Sequence, residues 1–227
     1  MKSFIVYLKG HSASEKQAND CYRSSSSSGF DAEMLEGITP KTLYDYEHYP
    51  EVPNGRVTNF KRESKKVYET KMSCFLNHVK VWKKCLELNE PVAFIEHDSY
   101  CVRNWDSPNW QDVLIMNASS AFKQKVFSHV RNKPDFDFGI NEYSYSPLAY
   151  NKDNIFKGSL MIPGTAAYAV TPKGAKKLLD SLYKNGWDQS DFFINTKNVK
   201  MQYTVPEYFT FKHSNLNTSH GIKNAPS

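Results

Sequence analysis

The sequence predicts an α/β domain, and three stretches carry that prediction. Phe4-Ile5-Val6-Tyr7-Leu8 is a short, β-rich apolar run that breaks into the polar loop Lys9-Gly10-His11-Ser12, the pattern of a buried opening strand. From about Lys71 to Leu88 the apolar residues Met72, Phe75, Leu76, Val79, Trp82, Cys85 and Leu86 recur at three-to-four spacing with lysines between them. Asn89-Glu90-Pro91 then stops that helix and delivers the chain into Val92-Ala93-Phe94-Ile95, a continuous apolar run of the kind buried on both faces of a sheet. Further on, Ala166 to Val170 reads as a strand of small residues, followed by Thr171 as cap and Pro172 at the first position of a helix running to Tyr183. Strands alternating with helices imply a mostly parallel central sheet flanked by helices.

The remaining elements follow in order. Ser14 to Tyr22 is a helix with Ser14 as its cap, and the serines from Ser24 to Ser28, closed by Gly29, read as a flexible, solvated connection. Phe30 to Met34 is a short second strand. Pro40, Pro50, Pro53 and Gly55 leave the region from Gly37 to Asn59 without periodicity, so it reads as an irregular excursion. Asp112 to Met116 fits a strand or a short helix, Asp135 to Ile140 alternates as a strand does, and Glu142 to Phe156 reads as a loop. Ala175, Leu178, Leu179 and Leu182 form the inward stripe of the Thr171 helix, which Asn185-Gly186 ends. A helical turn through Phe192, Phe193 and Ile194 and a late strand at Tyr203-Thr204-Val205 complete the chain before a polar tail from Pro206.

Composition narrows the function classes. The 227 residues suit one full-sized domain spanning 1–227, with a core large enough to fold without disulfide or metal staples. A net charge of +5 allows an anionic substrate but falls short of the concentrated basic character of a dedicated nucleic-acid binder. Cys21, Cys74, Cys85 and Cys101 form no CxxC pair, which argues against a structural zinc site. The opening apolar run is too short for a secretory leader and no stretch approaches the ~20 apolar residues of a membrane span, so a cytoplasmic protein with reduced thiols and no membrane span is expected.

Five groups of residues are able to carry chemistry. Glu96-His97-Asp98 stands at the carboxyl end of the central strand, where open α/β sheets bind their ligands. Its two carboxylates at i and i+2 suit a hard divalent cation, Mn²⁺ or Mg²⁺, and such a cation bridges the oxygens of a diphosphate. Asp188 and Asp191 flank a helix start, either as capping residues or as the carboxylate that takes a proton from an acceptor hydroxyl. His213 and His220, in the polar tail, are able to complete a mixed oxygen–nitrogen metal shell. His78 beside Asn77 is read two ways, as a group that orients a phosphate or as a satisfied histidine where helix meets sheet. Lys61, Arg62, Lys65 and Lys66, with Lys123, Lys125, Arg131 and Lys133, are a solvated face or a groove for a polyanion.

The order of these pieces resembles glycosyltransferase family 25, the lipooligosaccharide and collagen galactosyltransferases. Four ordered motifs carry the resemblance: Ser73-Cys74-Phe75-Leu76-Asn77-His78, then Val92-Ala93-Phe94-Ile95-Glu96-His97-Asp98, then Pro163-Gly164-Thr165-Ala166-Ala167-Tyr168 with the helix Lys173-Gly174-Ala175, and finally Asp188. The resemblance implies a GT-A fold, a Rossmann-like domain that binds a nucleotide sugar, commonly a UDP-sugar, with a divalent metal. It implies donor contacts at Leu8, Lys9, His78, Glu96 and Thr165 and metal ligation by Glu96 and Asp98, joined by His213 or His220. It also places the base or acceptor contact at Asp188 or Asp191. The sequence departs from the family pattern at His97, where a middle aspartate is usual, at Asn77, where serine is usual, and at Ser73, where glycine is common. The first departure removes one negative charge beside the diphosphate.

The function expected is sugar transfer from a nucleoside diphosphate to a hydroxyl acceptor, with inversion. The acceptor is a saccharide or, given the basic stretches and aromatics, a hydroxylated base in phage DNA. Two other classes compete: a non-catalytic polyanion-binding module on the same fold, and a metal-dependent nuclease or phosphotransferase that uses the same carboxylates.

Overall fold

The computed structural model describes residues 1–49, 64–117, 139–142 and 164–211. Within them the chain runs β1 (Lys2–Tyr7), α1 (Ser12–Ser27), β2 (Asp31–Glu36), a 3-10 turn (Leu43–Asp45), α2 (Lys65–Leu88), β3 (Val92–Glu96), β4 (Ser99–Cys101) and β5 (Val113–Ile115). It continues with β6 (Gly139–Glu142), β7 (Ala167–Val170), α3 (Pro172–Asn185), α4 (Ser190–Phe193), β8 (Met201–Val205) and β9 (Phe209–Phe211). Seven strands form one sheet in the order β2-β1-β3-β7-β5-β8-β6, and β4 and β9 make a separate antiparallel pair.

The α/β class expected from the sequence is the architecture observed. β1, β2, β3, β5 and β8 run one way; β6 and β7 run the other, so β7 is antiparallel to both its neighbours, β3 and β5. Alternate residues of the central strands serve opposite faces. Phe4, Val6, Val92, Phe94, Tyr168 and Val170 pack under α2, α3 and α4, while Ile5, Ala93, Ile95, Ala167 and Ala169 pack with Ala18 and Cys21 of α1. That two-sided burial is why Val92 to Ile95 has no polar alternation.

The two long helices near the site obey their sequence signals. Ser64 caps α2 by accepting from Val67 N, and Asn89 closes it in the left-handed conformation at φ 52°. Thr171 caps α3 by accepting from Gly174 N, with Pro172 in the first turn, and Ala175, Leu178, Leu179 and Leu182 are all buried. α2 itself starts six residues before the expected Lys71, at Lys65.

The serine run is a correction. Ser24 to Ser27 form the last turn of α1 rather than a flexible connection, and Ser24 and Ser25 are buried. Their small side chains let the helix approach β4 closely: Ser24 Oγ accepts from Cys101 N at 3.1 Å and donates to Cys21 O at 3.0 Å. Gly29, at φ +85°, then turns the chain so that Phe30 N reaches Ser25 O. Ser14 is also not the cap. His11 caps α1 through Nδ1, and Ser14 Oγ instead accepts from Leu8 N at 2.9 Å, which ties the helix to the end of β1.

Asp112 is the knot at the opposite edge of the sheet. It is buried, its carboxylate accepts from Lys200 N and pairs with Lys177, and its carbonyl accepts from Thr171 N. Gly174 of α3 lies so close that a Cβ there would stand 2.3 Å from Asp112 O. A backbone oxygen has no rotamer with which to retreat, so Gly174→Ala should force α3 off β5. The expected cost is about 2–3 kcal/mol, a melting temperature lower by roughly 5–10 °C, read by calorimetry.

Candidate active site

The site builds on the carboxyl end of β3. Glu96 is the last residue of that strand; its N–H donates to Ala166 O at 2.7 Å, so the antiparallel neighbour β7 brings Thr165 and Ala166 alongside it. Thr165 in turn holds α4. Its N–H and its Oγ1 both donate to Asp191 Oδ1, at 3.0 and 2.9 Å, and Oγ1 also lies 2.9 Å from Ser190 Oγ. Glu96, Thr165 and Asp191 therefore come from three separate stretches of sequence to one place. Cys74, on the exposed side of α2, has its thiol pushed up to about 12 by the surrounding protein and by the negative charges of Glu96 and Asp191.

The electrostatics of this edge are those of like charges out of water. Burial, followed by the charges of Asp98 and Asp191, raises the Glu96 carboxyl to about 8. Burial beside like charges thus favours the protonated form of Glu96. Asp98 is raised as well, chiefly by burial, and its Oδ1 is buried without a hydrogen-bond partner. Its negative charge reaches Glu96 and, more weakly, Cys21 of α1.

His97 occupies the position where the family pattern has an aspartate. Burial lowers its pKa, opposed by the charge of Asp98 and by a hydrogen bond to the Val6 backbone. Burial thus disfavours the charged form of the ring, which is tied to β1. Asn77, in the usual serine position, holds the backbone of Ile38 at both ends, since Oδ1 accepts from Ile38 N at 2.6 Å and Nδ2 donates to Ile38 O at 3.2 Å. Bracketing both backbone groups of one residue requires an amide, because a hydroxyl is too short to reach both.

The other sequence-predicted residues divide. Leu8 and Lys9 sit at the end of β1 on the same edge of the sheet as Glu96. Leu8 N is held by Ser14, and Lys9 makes an exposed pair with Glu36 at 2.9 Å. Asp188 is buried, and its Oδ1 accepts from Gln189 N at the start of α4. His213, His220, Lys61, Arg62, Lys123, Lys125, Arg131 and Lys133 lie outside the described residues. Sequence reasoning did not single out Cys74 or Ser190 as site residues, although Cys74 stands in the motif that carries the resemblance.

His78 resolves toward the core rather than the ligand. It is 1% exposed, stacks on Phe94 at 3.9 Å, and lies 3.0 Å from the Tyr168 hydroxyl through Nδ1. Trp82 Nε1 donates to that same hydroxyl at 2.8 Å, which leaves the Tyr168 O–H to donate to His78. In this position the ring is covered by the core and bonded to Tyr168.

Among the described residues no group of three or more His, Cys, Asp or Glu side chains is arranged to enclose a metal ion. A second kind of site does fit. Hard cations such as Mg²⁺ are commonly held by one or two carboxylates, with substrate phosphates and water completing the shell. The unpartnered, buried Asp98 Oδ1, with Glu96 two residues before it, is a donor set of that kind.

The model of glycosyltransferase family 25, described as LPS biosynthesis protein, matches residues 2–194, more than four-fifths of the chain. The chain belongs to this family. Among solved structures, an active-site mutant of LgtC is similar at 10% identity and TM-score 0.45, covering 89% of this chain and 72% of that one. The galactosyltransferase LgtC with donor and acceptor sugar analogues gives 9% identity and TM-score 0.42 over 89% and 73%. A UDP-glucose pyrophosphorylase complexed with UDP-glucose gives 14% identity and TM-score 0.42 over 97% and 94%. Comparison with curated proteins found no match. No helix among the described residues is long and apolar enough to cross a membrane.

The placement of His78 sets a pH dependence of stability. Burial lowers its pKa from 6.5 to about 3, so the unfolded chain binds a proton below pH 6.5 that the folded chain refuses. Stability is complete above that value and falls as the medium acidifies, by up to about 1.4 kcal/mol per pH unit from this residue. Urea unfolding of wild type and His78→Gln at pH 6.5 and 5 should show wild type losing about 2 kcal/mol more across the interval; equal losses would contradict the assignment.

Proposed function

We propose that the chain transfers a sugar from a nucleoside-diphosphate sugar, with UDP as the favoured nucleotide, to a hydroxyl of a saccharide acceptor. The observation that carries this reading is the desolvated carboxylate edge at the end of β3. Burial and acidic neighbours push the Glu96 carboxyl up to about 8, and Asp98 Oδ1 has no hydrogen-bond partner among the described residues. A fold that leaves carboxylates in this state forgoes stability there, as sites built to take a ligand do. Family membership supplies the reaction class, and the family's description favours a glycan over DNA. The basic stretches that suggest a DNA acceptor lie outside the described residues.

Asp98, with Glu96, is the pair to hold a divalent cation, Mn²⁺ or Mg²⁺. When bound, that cation neutralises charge on the departing diphosphate. The protein's own groups do the rest. Thr165 fixes the Asp191 carboxylate through two hydrogen bonds to Oδ1, which orients it as the base for the acceptor hydroxyl. Asp188, buried and bonded to Gln189 N, positions the start of α4 and with it Asp191. The acceptor oxygen attacks the anomeric carbon as the bond to diphosphate breaks and its proton passes to Asp191. A single displacement of this kind inverts the configuration. The reaction is assigned to a reducing, cytoplasmic setting, in keeping with four free cysteines.

The test is turnover of UDP-glucose and UDP-galactose with saccharide acceptors, with and without Mn²⁺. Asp98→Asn should lower transfer at least about 100-fold while the ligand-free protein melts no lower than wild type. Asp191→Asn should lower kcat and leave donor affinity intact. Full activity in Asp98→Asn would overturn the assignment. Salt-sensitive DNA binding without any turnover would favour a polyanion-binding module instead.

A further inference from the structure

The pairing registers extend the catalytic edge beyond the residues named so far. In β3 and β7, Ile95 pairs with Ala167, and Glu96 N donates to Ala166 O. On the other side of β7, Ile115 pairs with Tyr168 and Met116 N donates to Ala167 O. The next step of each register sets Glu96 and Asn117 on either side of Ala166, two strand spacings apart, or roughly 10 Å between their backbones. Ala166 contributes only a methyl group to that interval.

Asn117 is 1% exposed, and neither its Nδ2 nor its Oδ1 has a hydrogen-bond partner among the described residues. Leaving both ends of a buried amide unpaired is costly. The amide offers one donor group and one acceptor side by side, the complement of neighbouring hydroxyls, each of which both donates and accepts. Its place on the edge separates it from the nucleotide. The β1 loop, with Leu8 and Lys9, lies on one side of β3, whereas Asn117 lies on the other, beyond β7. A donor with its nucleotide toward β1 and its diphosphate at Asp98 directs its sugar toward β7 and β5.

We infer that Asn117 reads the hydroxyl groups of a sugar ring bound against Ala166, between Glu96 and the end of β5. This rests on the transferase reading above. The contact requires neighbouring side chains to shift as the sugar enters, because the amide is covered in the ligand-free chain. Sugar hydroxyls reach this place from the donor or from the acceptor, and the experiment separates the two sources.

Calorimetric titrations with UDP, UDP-glucose and UDP-galactose compare wild type with Asn117→Ala and Asn117→Leu. If the donor sugar is read, both variants lose about 10–100-fold in affinity for the nucleotide sugar that wild type prefers and keep wild-type affinity for UDP. If the acceptor is read, donor binding is unchanged and the acceptor KM rises about 10-fold or more with kcat little altered. A second readout needs no ligand: Asn117→Leu, which removes two unpaired polar groups while keeping the branching and the number of heavy atoms, should raise the melting temperature by roughly 2–6 °C. A variant less stable than wild type, or one with unchanged donor and acceptor parameters, overturns the inference. Failure of wild type itself to bind any nucleotide sugar overturns the transferase reading, and this inference with it.

Discussion

The antiparallel entry of β7 between β3 and β5 is the constraint on which the site depends. A sheet of strands all running one way would place a helix or loop connection beside the end of β3. Here the start of β7 lies there instead, and Glu96 N bonds directly to Ala166 O. Thr165 is thereby fixed one residue from the strand and able to donate twice to Asp191. The same strand ends beside Asp112, where Thr171 begins α3, so one four-residue strand connects the catalytic edge to the knot at the opposite edge.

What secures β7 is equally specific. Tyr168 lies between His78 and Trp82 of α2, with its hydroxyl taking the indole hydrogen bond and its ring stacked on the Phe94–His78 pair. This buried network settles the register between helix and sheet, which is the use buried polar groups serve when every member is satisfied. The carboxylate edge is its opposite. There, beside the bonded Thr165–Asp191 pair, Asp98 Oδ1 and the Asn117 amide are buried without hydrogen-bond partners among the described residues.

Much of this was legible in the sequence, for physical reasons that differ by element. Val92 to Ile95 reads as a central strand because burial on both faces removes polar alternation, and the acidic residues after it mark the carboxyl end of the strand. α3 announces itself by Thr171-Pro172 and its leucine stripe. The last turn of α1 does not: serine is a mediocre helix former, and only the close approach to β4 makes small polar side chains the right choice there. β9 is similarly silent, since three residues become a strand only by pairing with β4. Of the site, Glu96, Asp98, Thr165 and Asp191 were visible as types in a motif order, but their meeting depends on the β7 register. His78 was ambiguous because a buried, satisfied imidazole and a ligand-facing one look alike in one dimension. Asn117 carries no pattern, and its significance lies entirely in what it fails to bond.

The central claim is that the end of β3 receives a cation and a diphosphate together. Calorimetric titration of Mn²⁺ into the protein in the presence and absence of UDP tests it most directly. Two carboxylates without a full cage should bind Mn²⁺ weakly alone and at least about 10-fold more tightly with UDP, and Asp98→Asn should abolish that synergy. Mn²⁺ affinity that is the same with and without UDP, or synergy that survives in Asp98→Asn, would contradict the account.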